Sequence, residues 1–361
     1  MKRTIYKLTL LLLIIPGLCF ATTEGPLNYE RSKTVKKSYV VKSDATVEIQ
    51  NKYGNVNIVT WDKNDVEIIV EITVKGDNLK AVENQLKTVT IEFSNSADNV
   101  SAQTKFGTYS KSWNLWSSSN KIGYTVNYTV KMPLSNNLRV QNDYGAILLN
   151  KIDGTTNINC DYGKISLGAL NNAKNTINID YTKNSSIDFM KSGAVNADYS
   201  ELRIEKTGTV KINSDYATIE VGDAVMAAFN SDYGNMKIDN VSTITGNTDY
   251  VNIRLGTVRD LLTLKSDYGA INIQRLATGF QRAEIIGAYT GITIGLEENS
   301  NFSFSADLQY AGLRCNRTKV DMRKSIEKST RKFYEGTYGK GNSNAILKIQ
   351  SKYGSVRFKE E

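Results

Sequence analysis

The stretch that decides the fold runs from Val210 to Asn240 and reads VKINSDYATIEVGDAVMAAFNSDYGNMKIDN. It contains the phrase Ser-Asp-Tyr twice, ending at Tyr216 and again 17 residues later at Tyr233. In both copies, apolar residues stand three and five places after the tyrosine. A spacing of two between apolar residues is typical of a β-strand with one buried face. Each tyrosine therefore marks the corner before a short strand.

The same corner recurs through the middle of the chain. A tyrosine follows an aspartate at intervals of 17 to 19 residues at Tyr144, Tyr162, Tyr181, Tyr199, Tyr216, Tyr233, Tyr250 and Tyr268. Two looser copies follow at Tyr289 and Tyr310, each 21 residues on. The copy at Tyr181 has its apolar residues shifted to Ile187 and Phe189, which predicts a bulge or a longer corner. Repeats this short cannot bury their own apolar face, so we expect them to stack.

The repeats predict an all-β fold, a parallel β-solenoid of about ten coils of 17–21 residues. Each strand would pair in parallel with its counterpart one coil earlier, giving a rod of roughly 45 Å at strand spacing. Right-handed winding is the default for parallel crossovers. A barrel of hairpins is the alternative, but hairpins would reverse the chain direction at every strand, and the pattern would then recur every two strands in mirrored order. The corner motif always runs in the same direction, which favours the solenoid.

Two atypical copies flank the repeats, with lysine in place of the aspartate: Lys52-Tyr53-Gly54 and Lys352-Tyr353-Gly354. We expect them to mark the two ends of the stack. The predicted domains are an N-terminal antiparallel β cap at 22–135, the solenoid at 136–315 and a C-terminal cap at 316–361. The first cap would carry one helix at 78–86 and a long Ser/Asn-rich hairpin tip at 94–121. In the second, the basic stretch 317–332 is either a short helix or a solvated loop, before a last strand at 345–358.

The N-terminus has the pattern of a signal peptide over residues 1–21. Lys2, Arg3 and Lys7 precede a short apolar run, and the sequence predicts cleavage after Ala21. A lipoprotein anchored at Cys19 is the other interpretation. No later segment approaches the roughly 18 uninterrupted apolar residues of a membrane-spanning helix. We therefore expect an exported protein that does not span the membrane, located in the periplasm, at the outer-membrane surface or outside the cell.

Composition excludes several classes of function. The chain has no histidine, which removes imidazole-based catalysis and most zinc sites. Its formal charge of +8 is spread among interspersed acidic and basic residues, without the clustered basic face that nucleic acid requires. Cys160 and Cys315 lie roughly nine repeats apart, beyond disulfide reach, and are predicted to be small core residues. We expect no cofactor.

The repeated corner residues are the candidates for a site. The aspartates either accept backbone N–H groups within their own corners or form a row of cation sites, for which the candidates are Asp198, Asp215, Asp232, Asp249 and Asp267. The tyrosines either stack for structural reasons or, if they face outward, form a strip that binds glycan or protein, for which the candidates are Tyr199, Tyr216, Tyr233, Tyr250 and Tyr268. Glycine after several of the tyrosines is expected to supply a positive φ in the turn.

These motifs resemble a known group of proteins. The signal peptide, the opening Asn51-Lys52-Tyr53-Gly54 followed by Trp61-Asp62, the serial Ser-Asp-Tyr-Gly copies and the closing Ser351-Lys352-Tyr353-Gly354 resemble β-solenoid adhesin families of bacterial envelope proteins. These families are frequent in Bacteroidetes, include one named for an auto-transporter adhesin head and are of unknown function. The resemblance covers nearly the whole mature chain. It implies the fold and, by analogy, a surface-binding role, but no site residues, because the families have no established catalytic set.

The sequence thus predicts a non-enzymatic, exported binding or structural protein. Its partner would be a surface protein or a glycan, contacted through the Tyr/Asp-lined edge or through the tip at 94–121. Two alternatives stay open: an envelope-stress accessory protein that reports to a regulatory system, and a carbohydrate-active β-helix enzyme.

Overall fold

The computed structural model describes residues 27–107, 121–341 and 343–360. The predicted signal peptide, Cys19 and residues 108–120 of the predicted hairpin tip lie outside the described residues. Twenty-two strands and one α-helix make up the regular structure of the described part, and the strands pair mostly in parallel in one large sheet. The prediction of an all-β chain with parallel pairing is confirmed.

The N-terminal region combines antiparallel and parallel pairing. Its elements are β1 Tyr29–Val40, β2 Thr46–Lys52, β3 Val56–Trp61, β4 Asp65–Gly76, α1 Leu79–Thr88, β5 Val89–Asn95, β6 Asn99–Phe106 and β7 Ile122–Pro133. β1 pairs antiparallel with β4, β4 with β7, and β5 with β6, whereas β2 and β3 pair in parallel with strands of the first repeat. The α1 helix is capped by Asn78, whose side chain accepts the amide of Ala81 at 3.0 Å.

The predicted hairpin tip at 94–121 contains a strand that the sequence analysis missed. Strand β6 pairs in parallel with β2 and antiparallel with β5, because Val100 and Ala102 alternate into the core. The Ser/Asn-rich composition of the surrounding sequence hid this short alternation.

The central repeats pair in the register that the corner motif predicts. Their strands are β8 Asn137–Asp143, β9 Ala146–Ile152, β10 Thr156–Asp161, β11 Lys164–Leu170, β12 Asn175–Asp180, β13 Ser185–Asp198, β14 Glu201–Asp215 and β15 Thr218–Leu276, the last of which turns at three further corners. Asp161 of β10 lies opposite Asp143 of β8 on one side and Asp180 of β12 on the other. Alternate residues such as Ile158 and Ile177 are completely buried.

The irregular repeat at Tyr181 has a longer corner, one of the two alternatives predicted for it. Asn184 adopts a positive φ of 54°, a conformation that asparagine tolerates better than most residues. The extra residue shifts the strand, so that Ser185 is buried close to the preceding repeat, where its hydroxyl oxygen accepts the backbone N–H of Ile165 at 3.2 Å. Ile187 remains fully buried, whereas Phe189 does not.

The C-terminal strands are inserted between earlier ones. The strands are β16 Arg282–Leu296, β17 Phe302–Gln309, β18 Leu313–Arg314, β19 Val320–Glu327, β20 Arg331–Tyr338, β21 Ile346–Lys352 and β22 Val356–Glu360. β21 pairs in parallel with both β16 and β17, and β22 with both β16 and β18. The expectation that the copy at Lys352 marks an end of the repeats is therefore wrong, because the Tyr310 repeat lies beyond it.

The basic stretch 317–332 is neither a short helix nor a solvated loop. Apart from one short 3₁₀ turn at Arg317–Lys319, it forms β19 and the start of β20, which make an antiparallel hairpin. β20 also pairs antiparallel with β17 and so covers the backbone edge that this last repeat would otherwise expose. Covering an edge explains why strand structure forms here despite the high charge.

Candidate functional site

The corner tyrosines have an uncommon backbone conformation. All twelve have a positive φ, between 49° and 65°, which bulky residues rarely adopt. The glycines after them do not, so the prediction that glycine supplies the positive φ is wrong. A Cβ on Gly145 would lie 1.9 Å from the carbonyl oxygen of Gly54. Glycine is required there because the backbones of successive repeats approach too closely for a side chain.

The positive φ turns each tyrosine ring outward. Neighbouring rings stack with centroids 4.8 to 5.4 Å apart and interplanar angles of 1° to 21°, and each tyrosine residue is between 37% and 53% exposed. We call this row the tyrosine strip; in spatial order it consists of Tyr53, Tyr144, Tyr162, Tyr181, Tyr199, Tyr216, Tyr233, Tyr250, Tyr268, Tyr289, Tyr353 and Tyr310. At strand spacing it is about 50 Å long.

Stacking decides which part of each ring a ligand can reach. Tyr216 lies 5.0 Å from Tyr199 and 4.8 Å from Tyr233, with interplanar angles of 2° and 4°. Both faces of such a ring are therefore covered, and its outer edge and hydroxyl are left for solvent. Desolvation and the neighbouring tyrosine and aspartate charges raise the pKa of Tyr199 and Tyr233, so these hydroxyls stay protonated at neutral pH.

A row of carboxylates runs beside the strip. We call it the acidic file, and it consists of Asp143, Asp161, Asp180, Asp198, Asp215, Asp232, Asp249 and Asp267. The Oδ1 atom of Asp198 accepts the backbone N–H of Asp215 at 3.0 Å, which is a bond to the next repeat rather than within its own corner. The Oδ1 atoms of Asp143 and Asp180 are buried and have no hydrogen-bond partner. Hydrogen bonds from backbone N–H groups therefore satisfy only some of the carboxylate oxygens of the acidic file.

Burial and neighbouring carboxylates raise the pKa of some members of the acidic file. Burial first, and the neighbouring carboxylates second, raise the pKa of Asp161, Asp180 and Asp215 above its ordinary value. No lysine or arginine contributes to these three shifts. Within the described ranges, no member of the file forms an ion pair. A member inside the file, such as Asp180, has a carboxylate on either side.

An asparagine ladder, which the sequence analysis missed, lies on the far side of the file. The side-chain amide of each residue donates to the amide oxygen of the preceding one over 2.6 to 3.2 Å, along Asn159, Asn178, Asn196, Asn213 and Asn230. The sequence signal for this ladder was an asparagine that recurs two places before the corner aspartate. A groove of about 340 Å³ lies between this ladder and Asp198, Asp215 and Asp232.

Lysines end the acidic file in both directions. Lys52 lies opposite Asp143, and its Nζ atom is 5.1 Å from the ring centroid of Tyr53 and 5.5 Å from that of Tyr144. At the other end, Ala288 follows Asp267 and Lys352 follows Ala288. A hollow of about 570 Å³ lies at this end, and its lining includes Ala288, Lys352, Asp267 and the ion-paired Asp307 and Arg331.

Three other features could have indicated a function: a metal-binding cluster, a reactive cysteine and a membrane-spanning helix. In the described part of the chain, no cluster of three or more Cys, Asp or Glu residues has the arrangement to hold a metal ion. Cys160 is buried, and burial raises the pKa of its thiol to about 12, whereas Cys315 is only partly buried. No helix in the described ranges is long and apolar enough to cross a membrane.

Comparison with known proteins gives likeness to solved structures alone. No protein-family model and no curated protein matches the sequence. Among solved structures, a "putative adhesin" from Parabacteroides distasonis is 12% identical, with a TM-score of 0.34 over 90% of this chain and 97% of the other. A "putative cell adhesion protein" from Clostridium sporogenes is 10% identical, with a TM-score of 0.18 over 91% and 100%.

A third solved structure carries a different description. It is a "putative lipid binding protein" from Parabacteroides distasonis that is 13% identical, with a TM-score of 0.30 over 90% of this chain and 96% of the other. At such identities and TM-scores, these alignments do not establish a common function.

Proposed function

We propose that this protein is an exported, non-catalytic β-solenoid that acts as an adhesin-like binding protein, with the tyrosine strip as its contact surface. The observation that carries the proposal is the continuous exposure of the strip. Twelve aromatic side chains, each roughly half exposed, form one row along the molecule. Contiguous exposed aromatic surface is unusual on soluble proteins and commonly marks an interaction site.

The proposed solenoid consists of right-handed coils over 136–315, with the N-terminal cap at 22–135 and the C-terminal cap at 316–361. Its support is the register in which Asp143, Asp161, Asp180 and Asp198 lie opposite one another in successive parallel strands. Stacked repeats form a stiff scaffold, because each one contacts only its neighbours through backbone hydrogen bonds and a shared core. A stiff scaffold suits the display of an extended contact surface.

Export is proposed from the charged and apolar pattern of residues 1–21, with a lipid anchor at Cys19 as the variant form. The absence of catalysis is proposed because the corner residues that stand out are regular, whereas catalytic sites need non-repeating groups with distinct pKa values. The chain also lacks histidine.

The first test is location. Immunostaining of intact and permeabilised cells should label the protein on intact cells. Labelling only after permeabilisation would contradict an adhesive role and favour the envelope-stress accessory.

The second test is adhesion through the strip. Beads coated with the purified protein are placed on a glycan array and on slides coated with collagen, fibronectin or mucin. The variant replaces Tyr199, Tyr216 and Tyr233 with Asn, which accepts a positive φ and removes the rings. We expect retention of wild-type beads on at least one surface and its loss in the variant. Retention on none, or equal retention of both proteins, would refute the proposal.

A further inference from the structure

We propose that the occupant of the tyrosine strip is a cationic polypeptide segment, rich in Lys or Arg, whose side chains lie against the acidic file. This inference rests on the proposed function, since it names the partner of the same surface. Eight aspartates beside the strip form no ion pair in the described part of the chain. Those inside the file, such as Asp180 and Asp215, lie between two other aspartates, so a partner that brings positive charge relieves repulsion as it binds.

Lys52 shows how a positive side chain fits this surface. It takes the place of the aspartate at one corner, lies opposite Asp143, and holds its ammonium group 5.1 Å and 5.5 Å from two ring centroids of the strip. Lysine and arginine have apolar stems that pack on aromatic surface while their charged heads reach polar groups. The occupant would repeat, along the file, the contact that Lys52 makes at its end.

The groove beside the strip offers the hydrogen-bond acceptors that such side chains need. It is lined by the carboxylates of Asp198, Asp215 and Asp232 and by the amides of the asparagine ladder. Ammonium and guanidinium groups carry only donors, so carboxylates and amide oxygens are their complement. None of the described residues that line the groove is basic, so none of them competes for these acceptors.

Ring stacking argues against a sugar as the occupant. Carbohydrate recognition by tyrosine relies on an open ring face, and between Tyr162 and Tyr289 successive rings are parallel within 6° at 4.8 to 5.0 Å. What remains accessible is a row of ring edges and hydroxyls. These pack along aliphatic stems, and their oxygens accept hydrogen bonds from cationic heads.

The two lysines set the length of the occupant. Lys52 ends the acidic file on one side, and Ala288 followed by Lys352 ends it on the other. Eight aspartates at strand spacing span about 34 Å, which an extended peptide covers with roughly ten residues. A longer cationic chain would meet like charge at either end.

The experiment measures the fluorescence anisotropy of fluorescein-labelled deca-lysine with the full chain at 50 mM and 500 mM NaCl, with deca-glutamate as the charge-reversed peptide. We expect deca-lysine to bind at 50 mM and at least tenfold more weakly at 500 mM, because salt shortens the range of exposed charges. Deca-glutamate should not bind. Absence of deca-lysine binding at 50 mM, or equal binding of both peptides, would overturn the inference.

A matched pair of variants locates the contact. Asp198→Asn, Asp215→Asn and Asp232→Asn together remove three charges and keep an acceptor oxygen, and we expect at least tenfold weaker binding. The control is Glu71→Gln, Asp188→Asn and Glu335→Gln, which removes the same charge elsewhere on the surface and should change affinity less than twofold. Equal loss in both triple variants would mean attraction to overall charge and would refute the file as the site.

The two proposals can fail separately. If the tyrosine variant loses surface retention while the Asp198/Asp215/Asp232 variant keeps it, the strip is a contact surface but its partner is not cationic. If a neutral glycan on the array binds through the strip, the cationic occupant is likewise refuted. Melting temperatures near that of the wild type show that each variant is folded.

Discussion

The central repeats and the C-terminal region are built from the same corner but differ in how chain order relates to spatial order. From Tyr144 to Tyr289, each ring stacks on the ring of the next repeat along the chain. Beyond Tyr289 the next ring in space is Tyr353, and Tyr310 comes only after it. The last strands of the chain thus fill a place between two repeats that precede them in sequence.

The difference shows what the repeat motif specifies. Parallel strand edges present the same N–H and C=O groups whichever repeat they belong to, so the motif fixes register but not the identity of the neighbour. In the central region, short connections leave each strand no other partner. In the C-terminal region, the hairpin of β19 and β20 carries the chain away, and β21 and β22 return to pair on both sides.

The largest expected effect is in the central repeats. Ile238 is completely buried, and Ile238→Asp places an unpaired carboxylate in the core. We expect a loss of more than about 4 kcal/mol, enough to prevent folding. Lys237→Asp on the opposite face should cost less than about 1 kcal/mol, although it removes exposed ion pairs with Glu220 and Asp239. Urea denaturation measures both, and equal tolerance would overturn the assignment of the buried face.

The second prediction concerns the inserted strand. Ile349 is buried and pairs with Ile285 on one side and Ala306 on the other. Ile349→Asp should expel β21 and expose amides between residues 297 and 360 to hydrogen exchange, while the central repeats stay protected. The exposed neighbour Lys348→Gln is the control. Loss of protection throughout the chain would show that the inserted strand does not unfold independently of the central repeats.

The third prediction compares a ring inside the strip with the ring at its end. Tyr216 stacks on two neighbours, whereas Tyr310 stacks on Tyr353 alone. Tyr216→Asn should lose about twice the stability lost by Tyr310→Asn, with each stacked pair worth roughly 0.5–1.5 kcal/mol. Tyr216→Val should be worse than Tyr216→Asn, because a β-branched residue is strained at the φ of 53°. Equal losses in denaturant unfolding would mean that stacking contributes nothing.

The smallest expected effect is electrostatic. The raised pKa of Asp215 means that its charge destabilises the folded chain at neutral pH. This destabilisation disappears as the pH falls through the raised pKa towards the ordinary value, because the carboxylate becomes protonated. Asp215→Asn should therefore stabilise the protein at pH 7 by less than about 1 kcal/mol after solvent screening, and the gain should shrink near pH 4. Urea midpoints at both pH values test this. A destabilised variant at pH 7 would show that the carboxylate is required by the turn.

Much of the site was predictable in outline. The corner spacing predicted that Tyr199, Tyr216, Tyr233, Tyr250 and Tyr268 share one row, and the structure places them in the strip. The direction in which the row faces was not predictable, because a tyrosine at a corner can turn inward or outward according to its φ. The asparagine ladder was visible as a spacing but became a feature only when the amides were seen to bond from one repeat to the next.

The sequence by itself determined the repeat length, the register and the buried face, because the alternation of apolar residues after each tyrosine is a local property of a strand. Only the tertiary structure decided that the tyrosine rings face solvent, that the aspartates form no ion pair among the described residues and that the last strands lie between two earlier repeats. Each of these depends on contacts between residues far apart in the chain. Identical corners make such contacts equally compatible with several neighbours, so spacing alone cannot choose among them.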